Sequence, residues 1–289
     1  MTVLKFAAHV VPVAVSTTFV VIFGALIPTP AAWVLLLLGP AIAIGLLLGY
    51  WERPVCQVFQ AARPLTPTEV QFLAPALTLL TRQGFSCPPF DVVAHSGTST
   101  SVHAVGVGRR TVIVSAGLLN AARGQRLPAE EIAGVIAHAA GLTRARRVRS
   151  DLVLTYWTLP WRVAGLVVAA AGRLLWPLRP IFWGGWVIMR PIVGVGAAVQ
   201  TTQQGYPGIG AAVLGLLLVT YAHPWAERAW ARHLEDVGDR QVADHGLAVP
   251  LAMFLRRFPP TPRLDERTHF LDLAPSGSAP IPAATGRLA

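Results

Sequence analysis

Five long blocks with almost no charge constrain this chain more than any other feature: Val10–Ile27, Ala31–Tyr50, Leu152–Ala171, Ile181–Val199 and Tyr206–Trp225. Each is as long as a bilayer crossing, which takes roughly 18 or more mainly apolar residues. A soluble chain would spread its apolar residues at helical spacing and carry about 25% charged residues. This one carries 13%. The first block is preceded only by Lys5 and His9 and followed by no small-residue cleavage site, so it reads as a retained span. Ile27-Pro28-Thr29-Pro30 is an uncharged turn, and Tyr50-Trp51-Glu52-Arg53 is an aromatic and charged interface anchor.

The third block carries Trp157, Pro160, Trp161 and Arg162 near its middle. An arginine at mid-membrane costs about 2.5–3.5 kcal/mol on insertion scales. That block therefore reads as interfacial or packed against the other helices. The last two blocks pair around the uncharged Gln200–Gly205, with Arg173 and Arg179 before them and Arg228 and Arg232 after. The positive-inside rule then puts the soluble stretches in the cytoplasm and the chain, as a multi-pass protein, in the cytoplasmic (inner) membrane.

Basic residues outnumber acidic ones, 24 to 14, for a net charge of +10. No base-stacking or groove-reading motif accompanies them, which argues against nucleic acid as a partner. Arginine beside apolar spans is instead what a lipid bilayer selects. Cys56 and Cys87 form no C-x-x-C pair and are expected as reduced thiols.

The expected organisation is a transmembrane hairpin over 1–52, a soluble part over 53–150, an interfacial segment and second helix pair over 151–225, a second soluble part over 226–273, and a disordered tail over 274–289. In the first soluble part, Thr66-Pro67-Thr68-Glu69 is a capping box that starts a helix running to Arg82, with Gly84 ending it. Strands are expected at Phe90–Ala94 and Thr111–Val114, around a Ser96–Ser101 turn. A helix follows over Ala129–Thr143. The run Arg144, Arg146, Arg147 and Arg149 reads either as holding the end of that helix at the cytoplasmic membrane face or as a solvated charge run with no further role. The second soluble part opens on a helix over Trp225–Asp244, closed by Gly246.

The helix around His138 carries the chemistry. In H-E-x-x-H, histidines at i and i+4 share one face and bind one metal, and the glutamate activates its water. Here His138 stands at the first ligand position, Ala139 at the base position and Leu142 at the second ligand position. Glu130 and Glu131 lie two turns away, out of reach of a metal at His138. Val102-His103-Ala104-Val105-Gly106-Val107-Gly108 resembles an N-A-x-x-x-G strand with His103 for Asn. Thr111–Leu119 resembles the strand and "GLL" turn that follow it. Arg232-His233-Leu234-Glu235-Asp236-Val237-Gly238-Asp239 resembles R-x-x-E-x-x-A-D. Pro259–Leu264 resembles H-P-P-T-x-x-R-I, with Phe258 for His and Arg263 one place early.

In order and spacing these segments resemble the HtpX-type integral-membrane zinc metallopeptidases, relatives of the CAAX prenyl proteases. The resemblance covers roughly Val10 to Leu264. It implies a mainly α, integral-membrane fold of about four transmembrane helices, with a cytoplasmic α+β, gluzincin-like metallopeptidase domain split by the second helix pair. It implies zinc on His138 and Glu235, supported by Asp239 and Arg232, with Arg263 a further matched position and His103 the candidate substitute for Leu142. Gly238 for Ala reads as a mild change. The loss of the base and of one ligand weighs against both bound zinc and catalysis. Three readings follow: a catalytically inactive pseudoprotease that binds a peptide or membrane-protein partner, an active metalloendopeptidase with a rebuilt site, or a structural subunit of a membrane assembly.

Overall fold

A computed structural model describes residues 2–85, 90–98, 100–174 and 179–274. The fold is mainly helical with one small mixed sheet. Cys87 and the tail from 275 onward, including most of the stretch expected to be disordered, lie outside the described residues. The chain divides into two compact units: residues 1–43 with 154–232, and residues 44–153 with 233 onward.

The first unit holds α1 (Thr2–Leu26), most of α2 (Thr29–Leu48), and further helices described below. α1 and the helix over Pro207–Asp244 are long and apolar enough to cross a membrane. The core helix of a soluble protein would be mostly buried, yet their apolar windows are only 17% and 11% buried. Phe23, Leu26 and Leu218 point outward, which lipid would cover and water would penalise. Thr17 and Ser16 of α1 accept hydrogen bonds from Trp157 Nε1 (2.9 Å) and Trp161 N (3.3 Å).

The second unit is built on the sheet. Its elements are α3 (Glu52–Phe59), β1 (Ala62–Pro64), α4 (Pro67–Arg82), β2 (Asp91–His95), β3 (Ala104–Val107), β4 (Thr111–Val114), α5 (Ala116–Arg123) and α6 (Ala129–Arg144). The strand order is β1-β2-β4-β3, with β2 and β4 parallel (Asp91 beside Thr111) and the outer pairs antiparallel. The capping box forms as expected: Thr66 Oγ1 accepts from Glu69 N, and Glu69 Oε2 accepts from Thr66 N at 2.8 Å. Gly84 sits at φ 77° just past α4.

Two strands were expected from apolar runs, at Phe90–Ala94 and Thr111–Val114, and both form within one residue. β1 is too short to show a pattern, and β3 was legible only through the resemblance. The block Leu152–Ala171 is not one helix but two, α7 (Asp151–Trp157) and α8 (Leu159–Leu174), parted at Thr158 beside Pro160. α9 (Arg179–Gln203) and α10 (Pro207–Asp244) turn at Gly205, whose φ is 89°. The apolar block ending at Trp225 and the helix expected from Trp225 are one continuous α10. α11 (Ala248–Leu255) and α12 (Pro262–Leu273) are the last elements among the described residues. α12 was not expected as a helix. Thr261 caps it by accepting from Leu264 N at 3.2 Å, and Pro262 begins it.

α6 lies at the centre of the second unit. Its core face joins Leu73 and Leu80 of α4, Val112 and Val114 of β4, Leu118, Val242, Leu251 and Leu271 in one buried cluster. The close approach of neighbours uses small residues on both sides, with Thr143 of α6 beside Gly106 of β3 and Leu251 beside Gly134 of α6.

Candidate functional site

The helix α6 presents His138 to the last turns of α10. The Nε2 edge of the imidazole lies against Gly238: a Cβ at that position would come within 2.7 Å of His138 Cε1 and nearer still to Nε2. Glycine at 238 suits this packing, since an alanine there and this histidine rotamer exclude each other and a methyl would require the ring to move. The neighbouring Gly141 makes the same accommodation for Gln241, whose Cβ would stand 2.6 Å from an added Cβ.

His138 Nε2 is buried, makes no hydrogen bond, and lies 3.4 Å from Asp239 Oδ1. Burial pushes the imidazole pKa down, and the Asp239 carboxylate pulls it back only in part. The side chain is thus a neutral imidazole near pH 7, and the short approach to Asp239 is not a formed ion pair.

Asp239 is 2% exposed. Its charge is satisfied from α12: Arg267 Nε donates to Oδ2 at 2.7 Å and Nη2 to Oδ1 at 2.8 Å, the two-pronged geometry that suits guanidinium and carboxylate. Arg263, one turn earlier, donates through Nε to Glu235 Oε2 at 3.0 Å, through Nη2 to Asp236 Oδ1 at 2.5 Å and through Nη1 to Glu266 Oε2 at 2.8 Å. Arg267 Nη1 also lies 3.9 Å from Glu235 Oε1. The carboxylates raise both guanidinium pKa values against the effect of burial. Two arginines at i and i+4 of α12 thus grip three carboxylates at i, i+1 and i+4 of α10. The groove between them is lined by Asp236, Asp239, Arg240, Arg263, Arg267 and Phe270.

The other positions named from sequence fall elsewhere. Ala139, at the base position, is fully buried in the main core, and Leu142 is buried as well. His103 is exposed at the start of β3, its Nδ1 3.0 Å from Ser101 Oγ and its backbone N–H donating to Ser115 Oγ. Arg232 is exposed on α10. Glu131 is buried and paired with Arg257 through 2.7 Å contacts at both oxygens, which fixes the start of α6 to the corner after α11. Cys56 is a buried free thiol, pushed up to about 12 by burial and by the Glu52 charge. Sequence reasoning missed Arg267. The signal was present as R-x-x-x-R at 263–267, the spacing that matches Glu235 and Asp239 across two helices.

Zinc, which the resemblance implies, takes three protein ligands and an open position. The residues present do not fit that set. Among the described residues no three His, Cys, Asp or Glu side chains converge on a point that would hold a metal ion. Glu235 lies near His138, whose pKa its backbone and its charge raise, but its carboxylate already accepts from Arg263 at 3.0 Å and lies 3.9 Å from Arg267. Comparison with known proteins returns no match to a family model, to a curated protein or to a solved structure.

Proposed function

We propose that this chain is a multi-pass protein of the cytoplasmic membrane, with four spans and a metallopeptidase-like cytoplasmic unit. It is a catalytically silent pseudoprotease and works by binding a peptide segment or a membrane-protein partner. The observation that carries the reading is the engagement of Glu235 and Asp239 by Arg263 and Arg267. Guanidinium groups supply the positive charge that a metal ion would otherwise bring, and they repel a dication from the same carboxylates. The burial of Ala139 in the core supports the reading further, because no water-activating group has room there. The apolar outward faces of α1 and α10 support the membrane placement.

Metal analysis of the full chain purified in detergent, beside Glu235→Ala, tests the silent site. Zinc far below one per chain in both proteins is the expected result. One zinc per chain that disappears in Glu235→Ala would overturn the reading and restore the metalloendopeptidase. Cross-linking in intact membranes tests the binding role: a defined membrane protein or peptide segment joined to the cytoplasmic unit is expected.

A further inference from the structure

Within the second unit, the end of α2 carries a basic collar that lies apart from the Asp239 cluster. α2 ends in exposed apolar side chains, Ile44, Leu47 and Leu48, followed at once by Tyr50 and Trp51, which are 64% and 57% exposed. The Trp51 ring folds back over the last turn of α2 and sits 2.7 Å from where a Gly45 Cβ would be.

The terminal carbonyls of α2 are capped by arginines from far along the chain. Arg109 Nη1 donates to Leu48 O, and Arg149 Nη2 donates to Leu47 O at 3.3 Å. Arg109 comes from the tip of the β3–β4 hairpin. That tip is locked to the start of α3 by Glu52, whose Oε1 accepts from Arg109 N (2.8 Å), Arg110 N (3.1 Å) and Thr111 Oγ1 (3.1 Å). Gly108, at φ 66°, leaves the space that the Glu52 carboxylate fills. The Glu52 charge is thereby spent inward. Arg110, on the same tip, and Arg146, in the loop that carries Arg149, are both exposed. Arg53 is held by Asp91 at 3.0 Å.

We propose that this collar binds the headgroups of anionic phospholipids, with Arg110 and Arg146 meeting the phosphates, Arg109 and Arg149 fixing the end of α2, and Trp51 and Tyr50 lying at headgroup depth. Charge complementarity and continuity with an apolar helix end select this partner. Aromatic rings and guanidiniums that follow directly on exposed leucines suit the membrane interface and nothing drier or wetter. The cations sit within a Debye length of that surface, where each contributes about fivefold to affinity. The inference rests on the seating of α2 in the membrane and not on the silent metal site.

The test is native mass spectrometry of the full detergent-purified chain titrated with phosphatidylglycerol or with phosphatidylcholine. The wild-type chain is expected to retain phosphatidylglycerol at least several-fold better. Arg110→Gln/Arg146→Gln, which removes two exposed side chains and no backbone cap, is expected to lose that preference by roughly ten- to thirtyfold. Arg123→Gln on α5, equal in charge per site, is expected to keep it. Equal retention of the two lipids by the wild type would overturn the proposal, as would an undiminished preference in the double variant. A chain that extracts from cells without detergent would instead overturn the membrane seating itself, and zinc content would stand apart from both outcomes.

Discussion

Asp239 serves His138 and Arg267 together: one oxygen lies 3.4 Å from the imidazole Nε2, and both oxygens accept from the guanidinium at 2.7 and 2.8 Å. The carboxylate is almost fully buried, so its charge is tolerable only while Arg267 remains. The arrangement joins α6, α10 and α12 through one side chain.

Removing Asp239 alone should be costly, because Arg267 is then left partly buried with no hydrogen-bonded carboxylate and only Glu235, 3.9 Å away, as a counter-charge. Asp239→Ala is expected to destabilise the folded chain by about 3–5 kcal/mol, the usual range for breaking a buried pair. Asp239→Leu combined with Arg267→Met is expected to recover most of that loss, since well-packed apolar replacements are often neutral. Thermal unfolding in detergent measures both. A double variant no more stable than the single one would show that the pair itself, and not the orphaned charge, sets the cost.

Gly238→Ala is the sharpest test of the packing at His138. The new methyl meets the imidazole, and an overpacked core of this kind loses about 1–3 kcal/mol. Shrinking the partner should cancel the clash, so His138→Ala/Gly238→Ala is expected to be more stable than the sum of the single variants. The double-mutant cycle on melting temperature reads this directly. Additive effects would mean that the ring and the glycine are not in contact.

Some helices were legible from a local signal, although α12 opens on one, the cap Thr261 followed by Pro262, and was not expected. Thr66, Pro67 and Glu69 declared α4, and the apolar blocks declared α1 and the two helices around Gly205. What the sequence hid depends on distance along the chain. β1 is three residues long and is fixed only by pairing with β2, thirty-odd positions later. The arginine network at Glu235 is formed from the far side of α11, so a search for metal donors passed over Arg267. The fit of glycine at 238 is set by a side chain a hundred residues earlier, which no local pattern records. The break between α7 and α8 was half visible, since Pro160 and Arg162 argued against a plain span without placing the boundary.

Restoring the sequence motif should not restore the chemistry. Ala139→Glu/Leu142→His recreates H-E-x-x-H on paper, but position 139 is fully buried in the main apolar cluster. A carboxylate there has no partner, so it either destabilises the chain by several kcal/mol or stays protonated. Arg263 and Arg267 would still hold Glu235. The double variant is expected to melt lower than the wild type and to bind no more zinc, by metal analysis. One tightly bound zinc with unchanged stability would mean that the site had been open throughout.

The start of α4 supplies a pH test that is independent of the site. Arg63 binds Glu69 at 2.5 and 2.7 Å, and this hydrogen bonding, assisted by the Thr66 backbone N–H, lowers the Glu69 pKa from its ordinary 4.5 to about 2. A carboxylate whose pKa is lower in the folded chain stabilises it above the unfolded value, and the contribution fades as pH falls from about 4.5 towards 2. Arg63 is 39% exposed, so water screens the pair and the contribution is held to about 1 kcal/mol. Glu69→Gln is expected to lower stability at neutral pH by that order while flattening its decline on acidification below pH 4.5. Thr66→Ala, which removes the other half of the capping box, is expected to cost about 1 kcal/mol at every pH. Melting curves of the three proteins between pH 7 and pH 3 separate the two effects, and an acid slope in Glu69→Gln equal to that of the wild type would place the titrating group elsewhere.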